Sequence, residues 1–294
     1  MSINIDQYIE QEKHLFEMEL KNILQEKNIP KSLLASMSYS LFAGGKRLRP
    51  ILLLASYSTF ASNNEKVLKT AAALEMIHTY SLVHDDLPAM DDDDYRRGKL
   101  TNHKKFDEAT AILAGDALLT YAFELIANDD LLNENEKVFI IRSLATASGP
   151  EGMVAGQILD MEGETKSLTL EELETIHVLK TGRLINFAIT AGAFLANASD
   201  EQLKYLEEFA YYLGLIFQVQ DDILDVIGDP EKIGKPIGSD VSNDKSTYPN
   251  LLGLDGAQVQ KEKYVEKAEK ALQKANAEES YLYSLLCHFS ERDH

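Results

Sequence analysis

Apolar side chains recur at steps of three and four residues along almost the whole chain. One stripe runs through residues 5–24 and another through residues 203–217. This spacing gathers the apolar side chains on one face of an α-helix, whereas strict alternation, the pattern of a half-buried strand, is hard to find. No Ser/Gly/Pro-rich linker and no fixed-period repeat interrupts the sequence. We therefore predict an all-α fold, with a single domain over residues 1–294 that forms a bundle of about ten or more helices.

The end signals of one long helix are clear. Ser199 followed by Gln202 is a capping-box pattern, and a Gly-Asp-Pro breaker begins at Gly228. The predicted helix over 200–227 would be about 40 Å long. It is mostly apolar all round, which favours a central position. From Ala257 on, the chain is more charged and amphipathic, as expected for an outer layer.

Composition narrows the class of protein. The 294 residues include 29 Lys and Arg against 48 Asp and Glu, and this net charge of −19 argues against bulk binding to nucleic acid or anionic lipid. Hydrophobic residues make up 45%, which is enough for a sizeable core. The single cysteine, Cys287, excludes an intramolecular disulfide and favours a cytoplasmic setting. The first residues lack a secretory-signal pattern and no apolar run approaches the ~20 residues of a membrane span, so we expect neither.

Aspartates are concentrated at the end of a helix that is predicted over residues 64–86. Six of them lie within ten residues and repel one another, and Asp85 and Asp86 also face the negative end of the helix dipole. Mg²⁺ would relieve this repulsion, because it binds one or two carboxylates and leaves positions for water and substrate phosphate. We expect Asp85, Asp86 and Asp91 to bind metal, whereas a solvated acidic loop is the favoured interpretation of residues 92–94.

A second acidic cluster ends the predicted central helix. Asp221 and Asp225 are four residues apart and Asp222 and Asp225 three, so their carboxylates project to one face, with Gln218 one turn earlier. Carboxylates at the end of a buried helix must be paired, hydrogen-bonded or bound to metal. Two such clusters, about 135 residues apart, predict opposite walls of one apolar cavity with metal ions between them.

Basic segments offer candidate anion sites. Residues 44–50 combine two glycines and three cations with the start of a helix, which favours anion binding, with an exposed basic turn as the alternative. Arg96–Arg97 follow the first aspartates and either pair with them or clamp a phosphate. Residues 234–240 form either a loop that closes over a polyanion or a flexible surface loop.

The segment 180–183 places Thr and Gly inside an otherwise helical stretch. This combination loosens the backbone hydrogen-bond ladder and exposes a carbonyl group, although kinked helices without a function are common. Two anion sites beside metal ligands in an apolar helical barrel describe an enzyme that acts on diphosphates and encloses hydrocarbon.

Six segments also resemble, in order, the motifs of one enzyme family over nearly the full length of the chain. They read GGKRLRP (44–50), HDDLPAMDDDDYRRG (84–98), GMVAGQILD (152–160), KTG (180–182), FQVQDDILD (217–225) and GKPIGSD (234–240). The sequence is similar to the trans-polyprenyl diphosphate synthases, in particular to the bacterial farnesyl diphosphate synthase (geranyltranstransferase) type. This resemblance implies an isoprenoid-synthase-type helical bundle around a central apolar cavity, and a homodimer.

The resemblance implies the reaction and the residues that carry it. Dimethylallyl or geranyl diphosphate would condense with isopentenyl diphosphate to farnesyl diphosphate through Mg²⁺-assisted ionisation to an allylic carbocation, with three Mg²⁺ ions when substrate is bound. The implied metal ligands are Asp85, Asp86, Asp91, Asp221, Asp222 and Asp225. The implied isopentenyl diphosphate site consists of Lys46, Arg49, His78 and Arg97. The implied allylic diphosphate site consists of Arg96, Lys180, Thr181, Gln218 and Lys235. The implied catalytic residues, which face the carbocation, are Lys180, Thr181 and Gln218.

Other positions receive lesser roles or none. Gln157 and Asp160 resemble residues that support the site, and Arg47 is left without a role because a structural ion pair explains it equally well. Tyr80 and Ser81 precede Asp85 by five and four residues, so we expect them to set product length, with Tyr80 as the cavity floor. The alternatives are a geranylgeranyl diphosphate synthase, a class I terpene cyclase or a non-catalytic subunit.

Overall fold

The computed structural model describes residues 4–25, 28–164, 166–227 and 246–292. Within these ranges the chain is almost entirely helical, which confirms the predicted all-α class. The helices are α1 (Ile5–Gln25), α2 (Lys31–Leu41), α3 (Leu48–Ser58), α4 (Glu65–Asp85), α5 (Asn102–Lys105), α6 (Glu108–Ala127), α7 (Glu134–Ser148), α8 (Met153–Gly163), α9 (Leu170–His177), α10 (Arg183–Leu195), α11 (Asp200–Ile227), α12 (Tyr248–Lys274) and α13 (Tyr281–Glu291). A π-helical turn, Val178–Gly182, joins α9 to α10.

Internal contacts divide the chain into two compact units. The N-terminal unit comprises Asp6–Leu54 and Asn63–Arg142. The C-terminal unit comprises Ala55–Ser62 and the described parts of Met1–Ile5 and Ser143–His294. Helices α1, α3 and α7 contribute residues to both units, and the single domain over the whole chain stays a prediction.

The core of the N-terminal unit is the pair α4 and α6. Helix α4 matches the predicted bounds within a residue and buries side chains around most of its circumference, from Val67 to Val83. Helix α6 packs against it, and against α2 and α5. At Gly115 the helices are so close that a Cβ atom would collide with the His84 ring. Only glycine therefore fits at this position without a shift of the His84 ring on the aspartate-bearing helix.

Helix α6 departs from the sequence-based expectation about apolar runs. Of the described helices, it alone is long and apolar enough to cross a membrane by length and composition. Its buried residues, among them Ala111, Ala114, Leu118 and Ala122, follow steps of three and four and face the core. Core helices of soluble proteins meet the same criterion, so this run is accounted for by its packing against α4.

Helix α11 lies in the middle of the C-terminal unit. It contacts α9, the π turn, α10, α12 and α13, which confirms its predicted central position within this unit. Its bounds match the prediction, and the capping box is formed. The Gln202 N–H donates to Ser199 Oγ over 3.3 Å, and Gln202 Oε1 accepts from the Ser199 N–H at 2.9 Å. Helix α12 is amphipathic as predicted, since Ala257, Lys261 and Tyr264 are buried on one face.

Candidate active site

The basic segment between α2 and α3 runs through left-handed backbone. Gly44 and Gly45 have φ angles of 104° and 116°, and Arg47 has a φ of 53°. Glycine adopts such angles without steric cost, whereas an arginine does so only where other contacts hold it. Helix α3 begins directly after this turn with a proline in its first turn, as predicted. Lys46 and Arg49 therefore flank a fixed turn at a helix N-terminus.

A short hairpin follows the first aspartate cluster. Strands β1 (Tyr95–Arg96) and β2 (Lys99–Leu100) pair antiparallel, whereas the sequence analysis found no strand. Two-residue strands are too short to show alternation. At the hairpin turn the Arg97 guanidinium donates to the Gly44 carbonyl, and a Cβ atom on Gly45 would collide with that guanidinium. The two basic segments that were predicted separately are thus in direct contact.

His78 of α4 completes this cationic cluster. An Nη1 atom of Arg49 lies 3.2 Å from His78 Nε2. Desolvation, reinforced by the positive charges of Arg49, Arg97, Arg96 and Arg47, holds the pKa of His78 well below its usual value of 6.5. A neutral ring accepts a hydrogen bond at Nε2 from Arg49, so the cluster avoids a further positive charge. Most of the residues predicted to bind isopentenyl diphosphate therefore lie together.

The first aspartate cluster begins where α4 ends. Asp85 is its last residue, and the Asp91 N–H donates to the Asp85 carbonyl over 2.9 Å, which turns the loop back toward the helix end. Buried Asp86 accepts from Arg96 Nε at 2.7 Å and Nη2 at 2.6 Å. Desolvation raises the pKa of Asp86 and the Arg96 charge opposes this rise. Of the two alternatives for Arg96, the structure contains the ion pair.

The two residues predicted to set product length lie one turn before this cluster. Tyr80 is buried and its ring meets the His84 ring edge-on, with centroids 5.8 Å apart. Desolvation, and then the Asp85 charge, raises the pKa of its phenol. Ser81 Oγ donates to the His78 carbonyl over 3.0 Å. Tyr80 therefore stays a neutral, packed aromatic side chain, as a cavity floor requires, and its role stays a prediction.

In the C-terminal unit, the predicted kink is the π turn. Lys180 Nζ lies 2.6 Å from Asp160 Oδ2 on α8, and the Thr181 hydroxyl donates to Gln218 Oε1 over 2.6 Å. A Cβ atom at Gly156 of α8 would collide with the Lys180 backbone, so the glycine admits the turn. Gln157, half-buried, also lies on α8. The structure thus brings together the residues predicted to face the carbocation.

Two of these residues, Lys180 and Gln218, line a cavity of about 160 Å³, together with Asp160, His177 and Asp222. Desolvation lowers the pKa of His177 to about 4, although the Asp160 charge opposes the shift. This histidine could not be identified from the sequence, because one His at the end of a helix carries no motif. Carboxylates outnumber the single lysine in this wall, so the cavity suits a cation better than hydrocarbon.

The carboxylates of the second cluster have partners far away in the sequence. Asp221 pairs with Arg292, whose guanidinium also lies 4.2 Å from the centre of the Phe217 ring. Asp222 accepts the Tyr248 N–H at 2.9 Å, so it holds the start of α12. Asp225 is half-buried at the end of α11.

A buried lysine anchors the segment that carries Arg292. Lys261 Nζ donates to Gln220 Oε1 over 2.7 Å and to the Ser290 carbonyl over 2.9 Å. Gln220 in turn donates to the Arg292 carbonyl over 2.7 Å. Neither Arg292 nor Lys261 lies in a motif, so no role could be predicted for them from the sequence.

The donor set fits magnesium. Both clusters offer aspartate oxygens, the hard ligands that Mg²⁺ prefers. Among the residues that the structure describes, no three His, Cys, Asp or Glu side chains converge closely enough to hold a metal ion by themselves. This arrangement suits Mg²⁺, which commonly takes one or two carboxylates and completes its shell with water and substrate phosphate. Lys235 and the loop 234–240 lie outside the described residues.

A family model, curated proteins and a solved structure all match this chain over most of its length. The family model described as "Polyprenyl synthetase" matches residues 30–286. A curated farnesyl diphosphate synthase of Geobacillus stearothermophilus is 49% identical, with 99% of each chain covered. That of Bacillus subtilis is 46% identical, with 100% of each chain covered. A crystal structure of a Helicobacter pylori geranyltransferase complexed with magnesium and isoprenyl diphosphate is 35% identical, with a TM-score of 0.83 and 98% of each chain covered. This chain belongs to the polyprenyl synthetase family.

Proposed function

We propose that this chain is a short-chain trans-prenyltransferase that joins geranyl or dimethylallyl diphosphate to isopentenyl diphosphate and forms farnesyl diphosphate. The observation that carries this proposal is an aspartate cluster side by side with a cationic cluster in the N-terminal unit. The Asp86–Arg96 pair joins the two. The first suits a metal-bound diphosphate and the second a diphosphate held by Arg49, His78 and Arg97. A class I cyclase has no use for the second site and is disfavoured.

Ionisation of the allylic diphosphate would need residues that bind metal and residues that bind the leaving diphosphate. When bound, Mg²⁺ supplies Lewis acidity to the diphosphate leaving group. The proposed holders of three ions are Asp85, Asp86, Asp91, Asp221, Asp222 and Asp225. Arg96 and Lys235 would bind the allylic diphosphate, whose charge grows as its C–O bond breaks.

The residues around the π turn would serve the carbocation. Thr181 Oγ1, Gln218 Oε1 and the loosened carbonyl groups of the turn are negative dipole ends that stabilise a nearby positive charge. The reaction would also need apolar surroundings that keep water from trapping the cation. The double bond of isopentenyl diphosphate then supplies the electron pair of the new C–C bond, and the departing diphosphate accepts the proton that is lost.

The test is an incubation of pure protein with Mg²⁺, geranyl diphosphate and isopentenyl diphosphate, followed by chromatography of the hydrolysed products. We expect release of diphosphate and a C15 alcohol. Binding of a bisphosphonate without any release of diphosphate would favour a non-catalytic subunit instead. A C20 alcohol as main product would favour a geranylgeranyl diphosphate synthase.

Product length offers a residue-level test. Tyr80→Ala should lengthen the product beyond C15, because it removes the aromatic side chain that would form the floor of the cavity. Tyr80→Phe keeps the ring and should keep the C15 product. If the product of Tyr80→Ala still stopped at C15 in the same chromatogram, Tyr80 would not be the floor.

The proposal includes a cytoplasmic homodimer. Its support within the N-terminal unit is a pair of exposed apolar side chains on α6, Ile112 at 43% and Leu113 at 60% exposure. Sedimentation equilibrium of the wild type should give twice the chain mass. An Ile112→Asp/Leu113→Asp variant should shift the equilibrium toward the monomer, and a wild type that sediments as a monomer would rule out the dimer.

A further inference from the structure

Arg47 is the one cation of the segment 44–50 to which the sequence analysis gave no role, yet its side chain is only 1% exposed. Its guanidinium donates to three acceptors. Nη1 contacts Glu75 Oε1 at 2.7 Å, Nε contacts Glu17 Oε1 at 3.1 Å and Nη2 contacts the Leu41 carbonyl at 2.5 Å. A buried guanidinium that is satisfied in this way has a single orientation, because its donors lie in a rigid plane.

These contacts act on a strained part of the backbone. Arg47 has a φ of 53°, which is unfavourable for a residue with a side chain. Such a conformation persists only where the surroundings over-determine it. Lys46 precedes this residue, and Arg49 follows it at the start of α3. The three bonds of Arg47 therefore fix the turn from which both predicted diphosphate ligands project.

Glu75 connects the turn to the other half of the cationic cluster. It is 3% exposed on α4, and His78 lies three residues further on, on the same helix face. Its negative charge also acts on Arg97, where it opposes the lowering of the pKa by desolvation. One carboxylate thus compensates Arg47 directly and stabilises a cluster of like charges that would otherwise repel one another.

We propose that Arg47 and Glu75 are positioning residues for isopentenyl diphosphate. Their ion pair holds the turn in its left-handed form and sets Arg49 against His78, with Lys46 in the same turn, while neither residue of the pair contacts the substrate. This inference rests on the proposed function, since it assigns a support to the second diphosphate site. The motif 44–50 would then contain two kinds of cation: Lys46 and Arg49 bind the diphosphate, and Arg47 holds them in place.

The decisive variant is the double substitution R47M/E75L, which removes both charges at similar volume. Replacing both partners of a buried ion pair by apolar residues commonly preserves folding, whereas removing one partner leaves a buried charge. We expect KM for isopentenyl diphosphate to rise about 10- to 100-fold, as for a misplacement of binding groups by about an ångström. KM for geranyl diphosphate should stay within about twofold. A smaller folded fraction would lower the maximal rate and leave KM unchanged, so the split between substrates reports positioning.

Glu17→Gln is the matched control, because Glu17 also contacts Arg47 but its side chain is 36% exposed. Its KM for isopentenyl diphosphate should change by less than about threefold. If the double variant keeps the wild-type KM for isopentenyl diphosphate, or if both KM values rise together, the inference is wrong.

Calorimetric titration with isopentenyl diphosphate alone separates the two proposals. We expect the wild type to bind and the double variant to bind about 10- to 100-fold more weakly. Binding of equal strength by both proteins would overturn only the positioning role. A folded wild type that neither binds isopentenyl diphosphate nor releases diphosphate in the product assay would overturn the proposed function, and the inference with it.

Discussion

The two aspartate clusters differ in where their partners come from. In the N-terminal unit, Asp86 pairs with Arg96, which is ten residues away, and the Asp85 carbonyl is bonded within the same loop. In the C-terminal unit, Asp221 pairs with a residue 71 positions away, and Asp222 with the backbone 26 positions away. Both clusters end a helix and both must offset negative charge at the negative end of a dipole. One does so with neighbouring residues and the other through tertiary structure.

This difference predicts how each cluster responds to change. A locally compensated cluster keeps its shape as long as the hairpin and the turn at Arg47 are formed. The second cluster depends on the placement of α12, α13 and the π turn, so substitutions that move those elements should disturb it from a distance. The following variants test this contrast, from the largest expected effect to the smallest.

Within the first cluster, Asp85→Asn should have the largest effect. If Asp85 binds metal as proposed, its loss removes a ligand and several kcal/mol of stabilisation of the transition state, so we expect kcat to fall by at least about a hundredfold. The control is Asp92→Asn, at an exposed position with a φ of 50° that asparagine tolerates. Measurement of kcat at saturating substrates checks both. Equal losses in the two variants would contradict the distinction between Asp85 and residues 92–94.

In the C-terminal unit, Gly156→Ala should act from a distance on the π turn. The new Cβ would collide with the Lys180 backbone, which cannot move as a side-chain end can. A shift of about an ångström in Lys180 and Thr181 should lower kcat about a hundredfold.

Gly163→Ala is the control on the same helix α8. Its Cβ would lie 3.2 Å from a flexible Leu168 methyl group, which can give way. Near wild-type kcat for Gly156→Ala, with intact circular dichroism, would show that the turn does not position the catalytic groups.

Acid should destabilise the C-terminal unit through His177. The folded state holds its pKa at about 4, below the usual 6.5, so as pH falls the unfolded chain takes up the proton first. Stability is therefore lost between about pH 6.5 and pH 4, by up to about 3 kcal/mol. His177→Gln removes this contribution. The free energy of unfolding of the wild type and of His177→Gln, measured with urea at several pH values, checks this prediction. If the difference between the two proteins does not vary with pH, the prediction is wrong.

Substitutions in the glycine turn before α3 should have the smallest effect, a change in KM for isopentenyl diphosphate. Gly45→Ala and Gly44→Ala both strain left-handed backbone, by about 1–2 kcal/mol. Only at Gly45 would the new methyl group collide with the Arg97 guanidinium. We expect KM for isopentenyl diphosphate to rise about tenfold in Gly45→Ala and to change little in Gly44→Ala. A similar KM in both variants would mean that the contact between the two basic segments does not matter for binding.

The same contrast explains what could be predicted from the sequence. The bounds of α4 and α11 were predicted correctly because caps and breakers are local signals. The kink at Thr181 was predicted because Thr-Gly weakens a helix locally. The roles of Arg292 and Lys261 depend on which distant helices meet, and no local signal carries that information. The left-handed Arg47 also could not be predicted, because its strain is offset by Glu75, which is 28 residues away.

Helix α6 has a consequence for how the chain is made. A segment apolar enough to enter a bilayer is a hazard while a nascent chain is incomplete, since it exposes surface that attracts other chains or lipid. Its main packing partner, α4, is encoded about twenty residues upstream and so leaves the ribosome first. The helix can therefore be covered during synthesis, without waiting for the second half of the protein.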